Sequence, residues 1–223
     1  GNMKYDQQGV PLVEAPKDVD EVFVNLGWKK TDSVFLAGST DNLDEEGILV
    51  KAWLELRKKF PDLRLIVAPR HAERRQELVS FCTKQNIPVT LRSKTPNNKA
   101  DVLILDTTGE LNSWYLIATF VSVGKSLGVG TAHGGHNPGE PLVLGRPVLV
   151  GPSMEKVEPL ISELRQTRGV TEVSNEEEII QAAECFLLNP QEATASVERG
   201  LQALNEHQGS MDRTCGFLEK LLS

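Results

Sequence analysis

A chain of 223 residues with 39% hydrophobic content can bury a real core, as one large domain or two small ones, and its net charge of −7 argues against a general nucleic-acid partner. Cys82, Cys185 and Cys215 are odd in number and far apart, which suits core thiols of a reducing compartment and argues against a disulfide framework or a zinc site. No apolar run approaches the ~20 residues a membrane-spanning helix needs, and no secretory signal opens the chain, so a cytosolic protein is expected.

Short β-branched runs alternate with amphipathic stretches of helical length. Ser33-Val34-Phe35-Leu36-Ala37 reads as a strand, and residues 44–59 as a helix with Ile48, Leu49, Ala52 and Leu56 on its inner face. Leu63-Arg64-Leu65-Ile66-Val67 predicts the next strand, followed by a helix over about 72–86. Val89-Thr90-Leu91 and Val102-Leu103-Ile104-Leu105 are further strands, and a short helix is expected around 111–118. Phe120-Val121-Ser122-Val123 reads as a buried strand, Leu142-Val143-Leu144 starts a short helix that Gly145 ends, and Pro147-Val148-Leu149-Val150 is the next strand. A helix near 157–166 and a weaker strand over 170–173 follow; from Asn175 onward the pattern is helical only, broken at Pro190 and Gly209. This alternation predicts an α/β fold, one Rossmann-like parallel sheet with helices on both faces and a helical C-terminal tail.

Each strand is followed by polar or glycine residues: Gly38-Ser39-Thr40, Pro69-Arg70-His71, Asp106-Thr107-Thr108-Gly109-Glu110, Gly124-Lys125-Ser126 and Gly151-Pro152-Ser153. Ligands of open α/β sheets bind outside the carboxyl ends of the strands, so these distant groups are expected to converge on one crevice suited to a nucleotide or nucleotide sugar. The most informative stretch is His133-Gly134-Gly135-His136-Asn137-Pro138-Gly139-Glu140-Pro141. Its glycines let backbone approach a ligand, free N–H groups at a helix start attract anions, and Asn137 and Glu140 supply hydrogen bonds for a sugar or base edge. Taken alone, the same stretch also suits a glycine-rich loop capped by Asn137.

Several look-alikes fall away. Gly124-Lys125-Ser126 imitates the end of a Walker loop, but Thr119 stands where the first glycine is required. Gly128-Val129-Gly130 has His133 in place of the third glycine of a dinucleotide fingerprint. His133 and His136 have no convincing third ligand nearby, so neither a metal nor a cofactor is expected. Arg74 and Arg75, beside Glu73 and Glu77, read as the solvated start of a helix, whereas Arg70 directly follows strand and proline, where it can pair with a phosphate.

An ordered set of motifs then resembles a known family, the 3-deoxy-D-manno-octulosonic acid (Kdo) transferases. The set comprises Gly1-Asn2-Met3-Lys4-Tyr5-Asp6, Ala37-Gly38-Ser39-Thr40, Pro61-Asp62-Leu63-Arg64-Leu65 leading into Pro69-Arg70-His71, Thr108-Gly109-Glu110, the Gly134 to Pro141 run, and Gly145-Arg146-Pro147-Val148-Leu149-Val150-Gly151-Pro152. The resemblance is to the C-terminal half of the family and weakens after about Gly169. It implies a GT-B glycosyltransferase of two Rossmann-like domains facing a cleft, with residues 1–223 as the single donor-binding domain and the N-terminal acceptor domain absent from this chain. It further implies that CMP is held by Pro69 and Arg70, by Thr108, Gly109 and Glu110, and by Asn137, Pro138, Gly139 and Glu140. Gly38, Ser39, Gly134, Gly135 and His136 are possible additional donor contacts. The partners implied are CMP-Kdo as donor and a lipid A precursor bound through the N-terminal half, with membrane association only through that half, at the cytoplasmic face of the inner membrane.

The chain also departs from the family pattern. Asp41-Asn42-Leu43-Asp44 replaces a usual His-Glu-Gly-Glu, Gly139 replaces a common leucine, residues 128–133 form a longer link than usual, and Glu155-Lys156 replaces an aromatic residue and asparagine. The family's general base is a glutamate of the N-terminal domain, so no catalytic base is expected here, and the chain alone should bind donor without turning it over. Two other classes fit the residues less fully: another GT-B nucleotide-sugar enzyme, such as a UDP-sugar transferase or epimerase, and a noncatalytic nucleotide-binding domain.

Overall fold

The structure, a computed structural model, describes residues 13–94, 99–131 and 133–207. The Gly1 to Asp6 motif, Gly209 and Cys215 lie outside the described residues. In chain order the elements are α1 (Val19–Leu26), β1 (Ser33–Thr40), α2 (Leu43–Lys59), β2 (Leu63–Pro69), α3 (Arg75–Lys84), β3 (Val89–Leu91) and β4 (Val102–Ile104). They continue with α4 (Leu111–Tyr115), β5 (Phe120–Val123), α5 (Gly139–Val143), β6 (Val148–Val150), α6 (Leu160–Gln166), β7 (Thr171–Glu172), α7 (Glu176–Leu188) and α8 (Pro190–His207).

All strand pairings are parallel, in the order β3-β4-β2-β1-β5-β6-β7. The alternation of strand side chains divides the core into two layers. Val34, Leu36, Ile66, Leu103, Val121 and Val148 face one way, where α1, α4, α5, α6 and α8 cover them. Phe35, Ala37, Leu65, Val67, Val102 and Leu149 face the other way, toward α2, α3 and α7. Parallel strands covered on both faces must be apolar throughout, which is why β5 and β6 are buried at every position. Phe35 and Phe120 stack across the central pair with ring centroids 4.6 Å apart, a contact worth about 0.5–1.5 kcal/mol beyond area burial.

The helix ends follow local chemistry. Asn42 caps α2 by accepting the Glu45 N–H at 2.9 Å, three acidic residues fill the first turn and Arg57, Lys58 and Lys59 close the last, each end matched to the helix dipole. Asn175 caps α7 in the same way.

Some elements differ from expectation. α1 was not foreseen: it is an eight-residue helix that buries Val22, Phe23 and Leu26 and ends at Gly27 in the left-handed conformation. The helix over 72–86 divides into a 3-10 turn (Ala72–Arg74) and α3, and α5 starts three residues before Leu142, at Gly139. Pro190, rather than only breaking the helical tail, opens α8, a first-turn position where its missing N–H costs nothing. α8 is part of the core: Gly200 packs so closely on Gly169 that a Cβ on the latter would lie 2.5 Å from the Gly200 Cα, and Leu204 lies against Gly139 of α5. Cys82 is a buried thiol as expected, whereas Cys185 is exposed.

Candidate functional site

The chain starts at central β1, runs outward through β2 to the β4 and β3 edge, and returns to the other side of β1 with β5. The topological switch therefore lies between β1 and β5, and the crevice opens outside their carboxyl ends. Because every strand is parallel, the five polar strand ends read from the sequence all emerge on this one edge. The loops after β4, β2, β1 and β5 are neighbours there, spanning roughly 14 Å at the usual strand spacing.

The floor of the crevice is a close approach of two strand ends. Ser39 sits outside the β1–β2 register with φ +58°, and Gly124 donates its N–H to Gly38 O at 2.8 Å. A Cβ on Gly124 would collide with the backbone of Ser39 and Thr40, and one on Gly38 would lie 2.6 Å from the Tyr115 hydroxyl. Gly38 is thus buried by packing, while Ser39 remains partly exposed.

Beneath this floor lies a carboxylate that sequence reading missed. Glu45, fully buried, accepts the backbone N–H groups of Asp41 at 3.0 Å, Lys125 at 3.0 Å and Ser126 at 3.1 Å, joining α2 to both strand ends. Asn42, capping with Glu45 three residues on, was the available signal, since that spacing marks a helix start whose glutamate reaches back. Above it Lys125, at φ +61°, places its Nζ 3.1 Å from Asp41. Asn42 Nδ2 donates to Val129 O at 3.0 Å, and Thr131 donates to Asp41 at 3.3 Å. Residues 41–42 and 129–131 are therefore packed together as a single unit.

The glycine-rich loop is pinned to this floor. Gly135 N–H donates to Lys125 O at 2.8 Å, His136 N–H to Gly124 O at 3.3 Å and Gly134 N–H to Ser153 Oγ at 3.0 Å. These three amides are engaged in holding the loop. Gly134 and Gly135 have φ of +94° and +63°, and Lys156 and Met154 occupy the space that side chains there would need. Asn137 Oδ1 accepts the Gly139 N–H at 2.9 Å, an Asx turn that precedes α5, whose N-cap is Pro138. Among the described residues, no protein acceptor takes the N–H of Asn137 or Glu140.

Arg70 leaves β2 with its N–H on Thr40 O at 2.8 Å and its side chain exposed, with no hydrogen-bonded or ion-paired partner among the described residues. Its charge is felt at both His136 and Glu140, so β2 and the glycine-rich loop face the same space. Partial burial of the ring holds the His136 pKa below the ordinary imidazole value, reinforced by Arg70, Lys125 and Lys156 and opposed by Asp41. The Glu140 side chain reaches solvent, yet the protein around its carboxyl raises the pKa, with Asn137 and Arg70 pulling it back. Pro69 and Pro138 are buried.

On the β4 side, Thr108 and Gly109 are exposed and Gly109 has φ +87° with open space where a side chain would stand. The Glu110 carboxylate is already engaged by Thr107 Oγ1 at 2.5 Å and Arg92 Nε at 3.2 Å. What this turn can offer a ligand is chiefly backbone. An open hollow of about 480 Å³ lies between residues 13–17 and Gly109, Asn112 and Ser113.

One sequence reading is corrected, and one motif residue gains a structural role. Arg74 is not a solvated helix start: its guanidinium is mostly buried and grips Glu46, fully buried, through two hydrogen bonds of 3.1 and 3.0 Å. Arg146, within the Gly145-Arg146-Pro147 motif, bonds the carbonyls of Ala118 at 2.9 Å and Leu144 at 3.2 Å and is structural. No group of three or more metal-ligating side chains occurs among the described residues, and no helix there is long and apolar enough to cross a membrane.

An all-parallel sheet with helices on both faces, its chain order reversing between β1 and β5, is a Rossmann-like domain of the kind found as the C-terminal domain of GT-B proteins. No family model matches the chain. Among curated proteins it is 32% identical over 225 residues to the 3-deoxy-D-manno-octulosonic acid transferase of Haemophilus influenzae, covering 100% of this chain and 51% of that protein. It is 26% identical to the enzyme of the same name from Rickettsia conorii, covering 100% of this chain and 47% of that one. The chain thus spans about half the length of the curated relatives it matches. Among solved structures, the C-terminal CMP-Kdo binding domain of WaaA from Acinetobacter baumannii superposes with a TM-score of 0.73 at 26% identity, over 84% of this chain and 96% of that one. The C-terminal domain of the group 1 glycosyl transferase LpcC from Francisella tularensis shares the fold, with a TM-score of 0.55 at 13% identity over 89% of this chain and 97% of that one. The chain is thus similar over its whole length to Kdo transferases, and over most of it to the C-terminal CMP-Kdo binding domain of one of them.

Proposed function

We propose that this chain is the donor-binding half of a glycosyltransferase that moves Kdo from CMP-Kdo to a lipid A precursor in lipopolysaccharide biosynthesis. The observation that carries the reading is Arg70, a cation with no ion-paired partner among the described residues, which follows β2 beside the switch point and whose charge acts on Glu140. Likeness to a CMP-Kdo binding domain supports the choice of nucleotide.

In this reading Arg70 offsets the charge of the CMP phosphate, the unpaired amides of Asn137 and Glu140 take phosphate oxygens, and the Glu140 carboxylate accepts hydrogen bonds from the ribose hydroxyls. The exposed backbone of Thr108, Gly109 and Glu110 bounds the nucleotide on the other side, with Arg92 and Thr107 fixing the turn. Pro69, Pro138 and Gly139 shape the two walls, and Gly38, Ser39, Gly134, Gly135 and His136 form the floor near the sugar. These groups hold the departing CMP in place and stabilise its charge without moving a proton, which is electrostatic catalysis by a preorganised site.

Glu110 and Glu140 are both assigned to the nucleotide side, so the base that deprotonates the acceptor hydroxyl belongs to an N-terminal domain facing the same cleft. Acceptor binding and attachment to the cytoplasmic face of the inner membrane belong there too. Residues 1–223 alone are accordingly expected to show no Kdo transfer to a lipid A precursor, a result that radiolabelled transfer assays would read directly; turnover by the isolated chain would place the base in this half.

Calorimetric titration tests the donor assignment. CMP is expected to bind more tightly than UMP or ADP, and Arg70→Ala is expected to weaken CMP by about 1.5–3 kcal/mol, the value of a charge-assisted hydrogen bond. Lys51→Ala, an exposed cation on α2, serves as the comparison, because Arg74 has a structural partner. Equal or tighter binding of UMP, or equal losses from Arg70→Ala and Lys51→Ala, would rule out the assignment.

A further inference from the structure

Three cations act on the half-buried ring of His136: Arg70, Lys125 and Lys156. One of them has a carboxylate paired with it: Lys125 Nζ is 3.1 Å from Asp41. Arg70 and Lys156 have no ion-paired carboxylate among the described residues, although Arg70 shares its field with Glu140. Glu155, the neighbour of Lys156, turns away to Ser153 Oγ at 2.9 Å.

The position of Lys156 is nonetheless set by the loop. Its N–H donates to Gly134 O at 3.1 Å, and its side-chain carbons lie across Gly134, where a Cβ would come within 2.8–2.9 Å of them. Gly134 thus makes room for the lysine stem, which lies across the loop while remaining exposed. An exposed lysine ordinarily keeps its head in water. This one is stretched along a loop that carries the candidate phosphate-side groups, and its charge reaches the same imidazole as Arg70 does.

Resting on the donor assignment above, we propose that Lys156 binds the carboxylate of the 2-keto sugar acid carried by the nucleotide, and so makes the site selective for acid sugars over neutral ones. The chemistry of such a donor fits the spacing. Its carboxylate is attached to the same anomeric carbon that bears the phosphate, so its two anionic groups fall close together. With Arg70 on the phosphate, the unpaired Lys156 cation, whose charge reaches the same imidazole, meets the acid group. No bond is made or broken by this contact; Lys156 selects and orients the sugar.

The test compares CMP-Kdo with its neutral C1-amide, by competition against a fluorescent CMP probe, in the wild-type chain and in Lys156→Gln and Lys156→Arg. The ratio of the two affinities is the readout, so a general change in nucleotide binding cancels. Wild type is expected to favour the acid about tenfold, Lys156→Gln to bring the ratio within about twofold of unity, and Lys156→Arg to keep most of the preference. A Lys156→Gln ratio equal to the wild-type one, or a wild type without preference, would overturn the proposal. Failure of the wild-type chain to bind the CMP probe would instead overturn the donor assignment on which it rests.

Discussion

Arg74→Ala is expected to cost about 3–5 kcal/mol of stability, the usual result of removing one partner from a buried ion pair. Glu46 is fully buried beneath the end of β1, where it also accepts a hydrogen bond from Thr40 Oγ1 at 2.6 Å. Without the guanidinium, its carboxylate would stay in the core with only a hydroxyl for company. The cost is expected to depend on pH with a definite sign. Burial already raises the Glu46 pKa, with Arg74 the foremost group pulling it down, so removing Arg74 raises it further. A folded-state pKa above the unfolded value gives a contribution present at low pH and lost as pH rises through the folded value. The penalty is therefore largest near neutral pH and shrinks toward about pH 5. Urea unfolding of the variant at both pH values reads this, and Glu46→Met combined with Arg74→Met should recover most of the loss, because a well-packed apolar pair replaces a buried ionic one at little cost. A loss below about 1 kcal/mol at neutral pH would mean that the pair is no more than a surface contact.

Arg74 also shows where sequence reading reached its limit. Glu77 stands three residues away on the same helix face, so an exposed local pair is what periodicity suggests, and that pair exists at 3.3 Å. Glu46 belongs to another helix, and nothing local announces it. Helix α1 was missed for a related reason: at eight residues it is too short for periodicity to stand out, although Gly27 was a legible stop signal. The strands were legible because parallel strands covered on both faces must be β-branched and apolar along their length. The strand ends could be read as one site because a parallel sheet puts all its carboxyl ends on one edge.

The glycine-rich loop was legible as a place of close backbone approach, but its hydrogen bonds were not. Its composition shows that backbone must come close to something. It does not show that Gly134, Gly135 and His136 spend their amides on Ser153, Lys125 and Gly124, while those of Asn137 and Glu140 have no acceptor among the described residues. Likewise residues 41–42 and 129–131, within the two unusual segments, look independent along the chain. They are one unit because Asn42 and Asp41 hold Val129 and Thr131.

That unit rests on Glu45, and Glu45→Ala is expected to damage both the fold and the site. Three backbone N–H groups would lose their acceptor at once in a buried place, and each unsatisfied donor costs about 1–3 kcal/mol. Water can enter the space left by the side chain and offset part of this, so a net loss of about 3 kcal/mol or more is expected. Lys125 would then have less to hold it in the left-handed conformation it adopts at φ +61°. Its carbonyl accepts the Gly135 N–H, and the adjacent Gly124 carbonyl accepts that of His136, so loosening the end of β5 loosens the loop that faces Arg70. CMP affinity is expected to fall at least tenfold, about 1.4 kcal/mol, even at temperatures where the variant remains folded. Urea unfolding and calorimetric titration of the same sample separate the two effects. A folded Glu45→Ala protein with wild-type CMP affinity would show that the loop holds its shape without this carboxylate, and that the floor of the crevice does not organise its wall.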